Sequence, residues 1–208
     1  MFLILEVFLI SYLIGSIPTA YIAVRRKSHI DIRSAGSGNV GTMNAYEVTG
    51  SRIVGVAVLF VDAAKGAGAI LFTMRFLGHS EDAMAASLIG VVVGHCFPIW
   101  LKFKGGRGLA AAAGGMLVLD WPFVLVWLVC WIIGYSIIKD VHFGNIVAIV
   151  AAPILGWMMP QEILLRYLAG PFSSTEFLAV YSLVSAILFI RHIKPIRQLF
   201  WPSINNGN

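Results

Sequence analysis

Charge is what this chain has least of. Only 12% of its 208 residues are Asp, Glu, Lys or Arg and 59% are hydrophobic, whereas soluble domains run to about a quarter charged and about half apolar. So little polar surface excludes a water-soluble globular fold. Cysteine is scarce as well. Cys96 and Cys130 are the two present, both inside apolar stretches, which excludes a disulfide framework and a thiolate metal site. The N-terminus lacks the basic residues that open a secretory signal, and its apolar run outlasts a signal's hydrophobic segment. Residues 1–24 are therefore expected to remain as a first membrane span. Internal repeats are absent too, which weighs against a permease built from duplicated halves.

What the chain does have is long apolar runs. Seven occur, at about 2–24, 53–74, 83–101, 108–120, 122–138, 144–160 and 176–191, most of them near the roughly twenty residues a helix needs to cross about 30 Å of hydrocarbon. The fourth is short, and Pro122 leaves little room for a loop before the fifth, so six or seven spans is the range, with a tilted or re-entrant pair open at that point. The runs are continuous and do not alternate, against a closed β-barrel. The expectation is an all-α polytopic membrane helix bundle of about seven transmembrane helices, with residues 1–208 forming a single integral membrane domain.

Short loops rich in Lys and Arg stay in the cytoplasm. Seven spans put Arg25, Arg26, Lys27, Arg33, Arg52, Lys102, Lys104, Arg107, Lys139, Arg191, Lys194 and Arg197 on one side, and only Arg75 and Arg166 on the other. The N-terminus is thus expected outside and the C-terminus inside. The net charge of +5 is mainly topological, and no aromatic-basic interleaving points to nucleic acid.

The inside loops carry the chemistry. The first, 32–50, reads IRSAGSGNVGTMNAYEVTG: glycines alternate with Ser34, Ser37, Asn39, Thr42 and Asn44, giving a backbone able to take positive φ and to wrap an anion with its N–H groups. Its GSGNVG fragment matches a dinucleotide-binding pattern, but that pattern has meaning only between a strand and a helix. The second, 94–108, reads GHCFPIWLKFKGGRG. Lys104 and Arg107 flank Gly105-Gly106, a layout suited to phosphate, with Lys as a point charge and Arg as a fork. Lys102 reads as a snorkelling interfacial residue.

Ionisable residues inside the spans are costly in lipid and are commonly paired or functional. Asp62 and Lys65 lie three apart on one helix face and are expected to pair; for Lys65, pairing and substrate contact are both open. Glu6 stands alone in the first run. His95 and His192 lie at inside ends of spans, where an imidazole can take up a proton near neutral pH.

GSGNVG with its following Asn44, the FVDAAKG segment at 60–66, the GHCFPIWLKFKGGRG loop and Arg191-His192 together resemble, in order and spacing, the bacterial acyl-phosphate:glycerol-3-phosphate acyltransferases. The resemblance spans nearly the whole chain. It implies a bundle of seven transmembrane helices in the cell (cytoplasmic or inner) membrane with its site on the cytoplasmic face. It also implies transfer of a fatty acyl group from acyl phosphate to the sn-1 hydroxyl of glycerol 3-phosphate, giving lysophosphatidic acid for phospholipid synthesis without a coenzyme A donor. The chain departs from the family pattern at Glu47, where a basic residue is usual, and at Pro195, where asparagine is.

An acyl phosphate is already activated, so no covalent intermediate, cofactor or metal is expected. The enzyme has to bring two phosphate-bearing molecules together, stabilise the oxyanion and accept the hydroxyl proton, with either His95 or the donor's phosphate as the acceptor. The candidate catalytic residues are Ser37, Lys104 and His95. The candidates for holding substrate and phosphate are Gly36, Gly38, Asn39, Gly41, Thr42, Asn44, Lys65, Gly105, Gly106, Arg107, Lys139, His142, Asn145 and His192. The expected partners are the two substrates and membrane lipids. Two other readings of the same residues stay open: a relative with a different acceptor or no turnover, and a small-solute permease.

Overall fold

The computed structural model describes residues 2–77, 80–168 and 173–201. Its regular structure there is helical throughout: α1 Phe2–Ser16, α2 Thr19–Ser28, α3 Thr42–Thr49, α4 Arg52–Phe72, α5 Glu81–Cys96, α6 Leu109–Leu119, α7 Trp121–Ile138, α8 Val141–Met158, α9 Gln161–Tyr167 and α10 Ser174–Phe200. The seven apolar runs fall on helices, the first of them on two, α1 and α2. Among the described residues, six stretches are long and apolar enough to cross a membrane: Phe2–Ser28, Arg52–Leu77, Glu81–Leu101, Trp121–Ile138, Val141–Met158 and Ser174–Phe200. The fourth run falls on α6, whose 11 residues reach only about 16 Å at 1.5 Å per residue.

Polar residues set the helix boundaries. Ser51, Ser80 and Asp140 accept hydrogen bonds from the backbone N–H of Val54, Ala83 and Phe143, capping α4, α5 and α8, which satisfies amides that have no partner inside the helix. Gly50 closes α3 in the left-handed region. Pro18 interrupts the first apolar run between α1 and α2, as a residue without an N–H does. Pro122 instead sits in the first turn of α7, where its ring is tolerated.

The chain divides into two compact units, the first built from α1–α6 and the second from α7–α10. In the first unit α1 packs on α5 and α4 on α6 through small residues. A methyl group on Gly94 would overlap the Tyr12 carbonyl of α1, and one on Gly66 would overlap the Ala111 carbonyl of α6. Ser11 and Ser87 share a hydrogen bond of 2.9 Å across the α1–α5 contact. Small residues that let backbones touch, with a polar bond between helices, are how helices hold together where lipid removes the hydrophobic drive. The second unit packs α8 on α10 and gathers aromatic rings: Phe123 lies 4.6 Å from Phe177 and 5.3 Å from Tyr181, edge to face.

Candidate active site

The first glycine-rich loop is held from inside by one side chain. Asn44, 1% exposed in the first turn of α3, donates from Nδ2 to the carbonyls of Ile32, Ala35 and Asn39 at 3.2, 3.1 and 2.9 Å. Its Oδ1 accepts from the Ser37 N–H at 3.0 Å. Two amide hydrogens shared among three carbonyls, with the oxygen also engaged, use the group fully. Gly36 and Gly38 take φ of 57° and 71°, and a side chain on Gly36 would strike the Asn44 carboxamide. The loop is therefore fixed, with Ser37 exposed on its surface and Asn39, Gly41 and Thr42 leading into α3. Glu47 is exposed on α3.

A second loop folds back onto the end of α5. Lys102 and Phe103 adopt left-handed backbone, after which the Gly105 N–H donates to the Cys96 carbonyl at 3.2 Å and the Gly106 N–H to the His95 carbonyl at 3.1 Å. Tyr12 donates to the Phe97 carbonyl at 2.8 Å, and Trp100 to the Ser16 hydroxyl at 2.8 Å, tying this loop to α1. Gly106 is wedged between the loops: a methyl group there would lie 2.6 Å from the Val40 carbonyl and also meet the His95 ring. The two loops thus touch at Val40 and Gly106, with Lys104 exposed and Arg107 half-buried.

Beneath this contact lies a buried charged layer. Lys65 Nζ sits 2.9 Å from Asp62 Oδ1 and donates to the Ile17 carbonyl at the α1–α2 break at 2.8 Å. His95 Nδ1 lies 3.7 Å from the same Asp62 oxygen. All three side chains are at most 7% exposed. Together with Thr19, Val40, Gly105 and Gly106 they line a small pocket. Its walls bring Lys65, His95, Gly105 and Gly106, candidates from distant parts of the sequence, to one place. Thr19 and the Ile17 carbonyl were not among those candidates. The sequence signal for the carbonyl is Pro18, which breaks an apolar helix and exposes backbone that has to be satisfied.

Four further candidates lie in the second unit. Lys139 is exposed, with a left-handed backbone and its Nζ 5.6 Å over the Tyr135 ring. His142 is half-buried in the first turn of α8, and Asn145 is buried one turn on, its Oδ1 accepting from Trp131 Nε1 at 2.9 Å. His192 is fully buried in α10, with Nδ1 2.7 Å from the Leu188 carbonyl. A carbonyl only accepts, so that nitrogen carries a hydrogen.

In its first unit the protein holds fixed glycine loops, basic side chains and a buried ionic layer. That makes it a polytopic membrane protein of the kind that handles small anionic molecules. More narrowly, the chain belongs to the glycerol-3-phosphate acyltransferase family, whose model matches residues 5–201. It is 38% identical over 192 residues, 92% of this chain and 87% of the relative, to a glycerol-3-phosphate acyltransferase of Gluconobacter oxydans. It is 38% identical over 151 residues, 73% of this chain and 76% of the relative, to glycerol-3-phosphate acyltransferase 2 of Thermotoga maritima. The fold matches crystal structures of PlsY (YgiH), an integral membrane glycerol 3-phosphate acyltransferase. The TM-score is 0.77 for its glycerol 3-phosphate form and 0.75 for its lysophosphatidic acid form, each at 26% identity over 94% of this chain and 91% of that one.

Proposed function

We propose that this protein transfers a fatty acyl group from acyl phosphate to the sn-1 hydroxyl of glycerol 3-phosphate, releasing lysophosphatidic acid and inorganic phosphate at the cytoplasmic face of the cell membrane. The observation that carries this reading is the contact of the two glycine-rich loops over the Asp62–Lys65–His95 layer. Solved relatives in glycerol 3-phosphate and lysophosphatidic acid forms support the acceptor and the product.

The chemistry follows from the groups in place. Ser37, Asn39 and the N–H groups of the first loop, with Lys104 and Arg107 of the second, neutralise phosphate charge and orient the reactants, which converts a bimolecular encounter into a positioned one. The sn-1 oxygen attacks the acyl carbonyl carbon and a carbon–oxygen bond forms. The hydroxyl proton passes to His95 or to an oxygen of the donor's own phosphate. The bond from acyl carbon to phosphate oxygen then breaks, and its electron pair and the proton leave with phosphate. The developing oxyanion is met by donors that are already oriented. The apolar tail stays among the helices, so no soluble carrier is needed.

Purified protein in lipid nanodiscs, supplied with palmitoyl phosphate and glycerol 3-phosphate, should release phosphate and lysophosphatidic acid in equal amounts, with palmitoyl-coenzyme A a poor donor. Efficient use of the thioester, or phosphate release without lipid product, would overturn the reading.

A further inference from the structure

One cation of the first unit stands at the end of an apolar groove. On α2, Thr19, Ile22, Ala23 and Arg26 occupy positions i, i+3, i+4 and i+7 and so share one stripe of the helix. Ala57 and Val61, one turn apart on α4, line the same groove, an open channel of about 320 Å³ that runs from Ile17 at the α1–α2 break to Arg26 in the last turn of α2. Ile22 is 37% exposed and Val61 48%, so the protein leaves these walls uncovered. Both helices belong to membrane-spanning stretches, where the medium against them is lipid. The basic residues nearby are not equivalent. Arg25 donates to the His29 carbonyl at 2.8 Å, and Arg33 is paired with Asp31 at 2.6 Å. Arg26 is exposed, and among the described residues no carboxylate pairs with it and none lines the groove. Snorkelling alone only requires that its head reach water. A guanidinium on the same stripe as an apolar channel matches something more particular, a phosphate that carries a hydrocarbon chain.

We propose that this groove binds an anionic phospholipid of the surrounding bilayer, with its phosphate on Arg26 and one acyl chain between α2 and α4, pointing towards Ile17. The position of the charge selects the occupant. Arg26 stands at one end of the groove, and the buried ionic layer lies beyond the other, where Lys65 donates to the Ile17 carbonyl at 2.8 Å. A donor reacting over that layer has its phosphate at the Ile17 end, whereas a lipid held head-first on Arg26 has it at the opposite end and is a resident of the membrane. That choice between resident lipid and donor rests on the proposed place of acyl transfer. Because Ile17 closes the far end of the groove, the bound chain also braces the break that Lys65 holds.

The test titrates the full-length protein in detergent with dioleoyl phosphatidylglycerol and, separately, with dioleoyl phosphatidylcholine, counting bound lipid by native mass spectrometry. The first phosphatidylglycerol should bind about tenfold more tightly than phosphatidylcholine. Arg26→Gln should reduce that preference to less than about twofold, while Lys27→Gln, the same loss of charge one residue off the stripe, should leave it within about twofold of wild type. Ala57→Trp, at an exposed position, fills the groove and should remove the first tightly bound phosphatidylglycerol; Val61→Trp takes its place if that variant does not fold. Equal binding of the two lipids, equal effects of Arg26→Gln and Lys27→Gln, or tight binding that survives the tryptophan would each overturn the proposal. So would a rise of about tenfold in KM for palmitoyl phosphate in the groove-filled variant, since the groove would then hold the donor's tail. The lipid titrations need no turnover, so they stand or fall apart from the transfer reaction itself.

Discussion

The two units of this protein weight backbone and side-chain contact differently in their packing. In the α1–α6 unit, helices approach until backbone meets backbone: Gly66 lies against the Ala111 carbonyl, Gly114 against the Ala63 carbonyl and Gly15 against the Val91 carbonyl. In the α7–α10 unit, bulk fills the space, with Phe123, Phe177 and Tyr181 clustered and Gly156 facing Leu178 and Phe123 side chains. The difference teaches something about sites. Backbone contact leaves little freedom, so it holds Asp62, Lys65 and His95 against one another. Side-chain packing can yield when a neighbour changes.

The largest expected effect breaks the backbone contact. Gly66→Val meets an immovable carbonyl, whereas Gly68, two residues on along α4, has nothing within 4 Å of where a methyl would stand. Overpacking of this kind costs about 3 kcal/mol. Thermal unfolding followed by size-exclusion in detergent should show Gly66→Val largely aggregated and Gly68→Val close to wild type; two equally stable variants would mean that the α4–α6 approach is not tight.

Phe123→Ala should also destabilise, by about 3 kcal/mol as large aromatic truncations do. The folded fraction should nevertheless keep KM for glycerol 3-phosphate close to wild type, since the aromatic cluster supports helices and not the glycine loops. A large KM change without loss of melting temperature would tie this cluster to the site.

Within the first unit, Lys104→Ala and Asn44→Ala should separate chemistry from support. Lys104 is exposed, so its loss should lower turnover at least about tenfold, roughly 1.4 kcal/mol of barrier, with melting unchanged. Asn44 holds three carbonyls and an amide, and leaving those groups unpaired should lower activity and stability together, the latter by about 2 kcal/mol. Parallel kinetics and melting curves would show whether the two variants part in this way.

The smallest effect lies at the surface. The Arg33 guanidinium hydrogen-bonds Asp31 and holds its carboxyl at about 2, below its ordinary 3.8. A carboxylate with a depressed folded value stabilises the fold above its unfolded value, and that contribution is lost as pH falls from about 4 towards 2. Both side chains are about a third exposed, so after solvent screening the contribution is well under about 1 kcal/mol. Asp31→Asn should flatten the acid limb of melting temperature against pH only slightly.

Much of this was legible in the sequence, for physical reasons. Lipid demands length and apolarity of every span, so the seven runs declared their helices, and the shortness of α6 showed in its run. The boundaries were less legible. Residues 32–50 read as one loop, yet 42–49 form α3, because Asn44 finds three carbonyls that only the folded loop presents. The last run ends at 191 by hydropathy while α10 continues to Phe200, since a helix already formed can carry Arg191, Lys194 and Arg197 beyond the apolar region. The Asp62–Lys65 pair was visible as a spacing of three on one helix. His95 joining it was not, because a contact between α4 and α5 leaves no local trace.

If the two glycine-rich loops act together on glycerol 3-phosphate, equilibrium binding shows it most directly. Calorimetric titration of glycerol 3-phosphate into nanodisc-embedded wild type, Ser37→Ala, Lys104→Ala and the double variant should show each single change weakening affinity. The double should be weaker by less than the sum, with a coupling above about 0.5 kcal/mol, as for groups that share a ligand. Strictly additive losses, or wild-type affinity in either single variant, would contradict it.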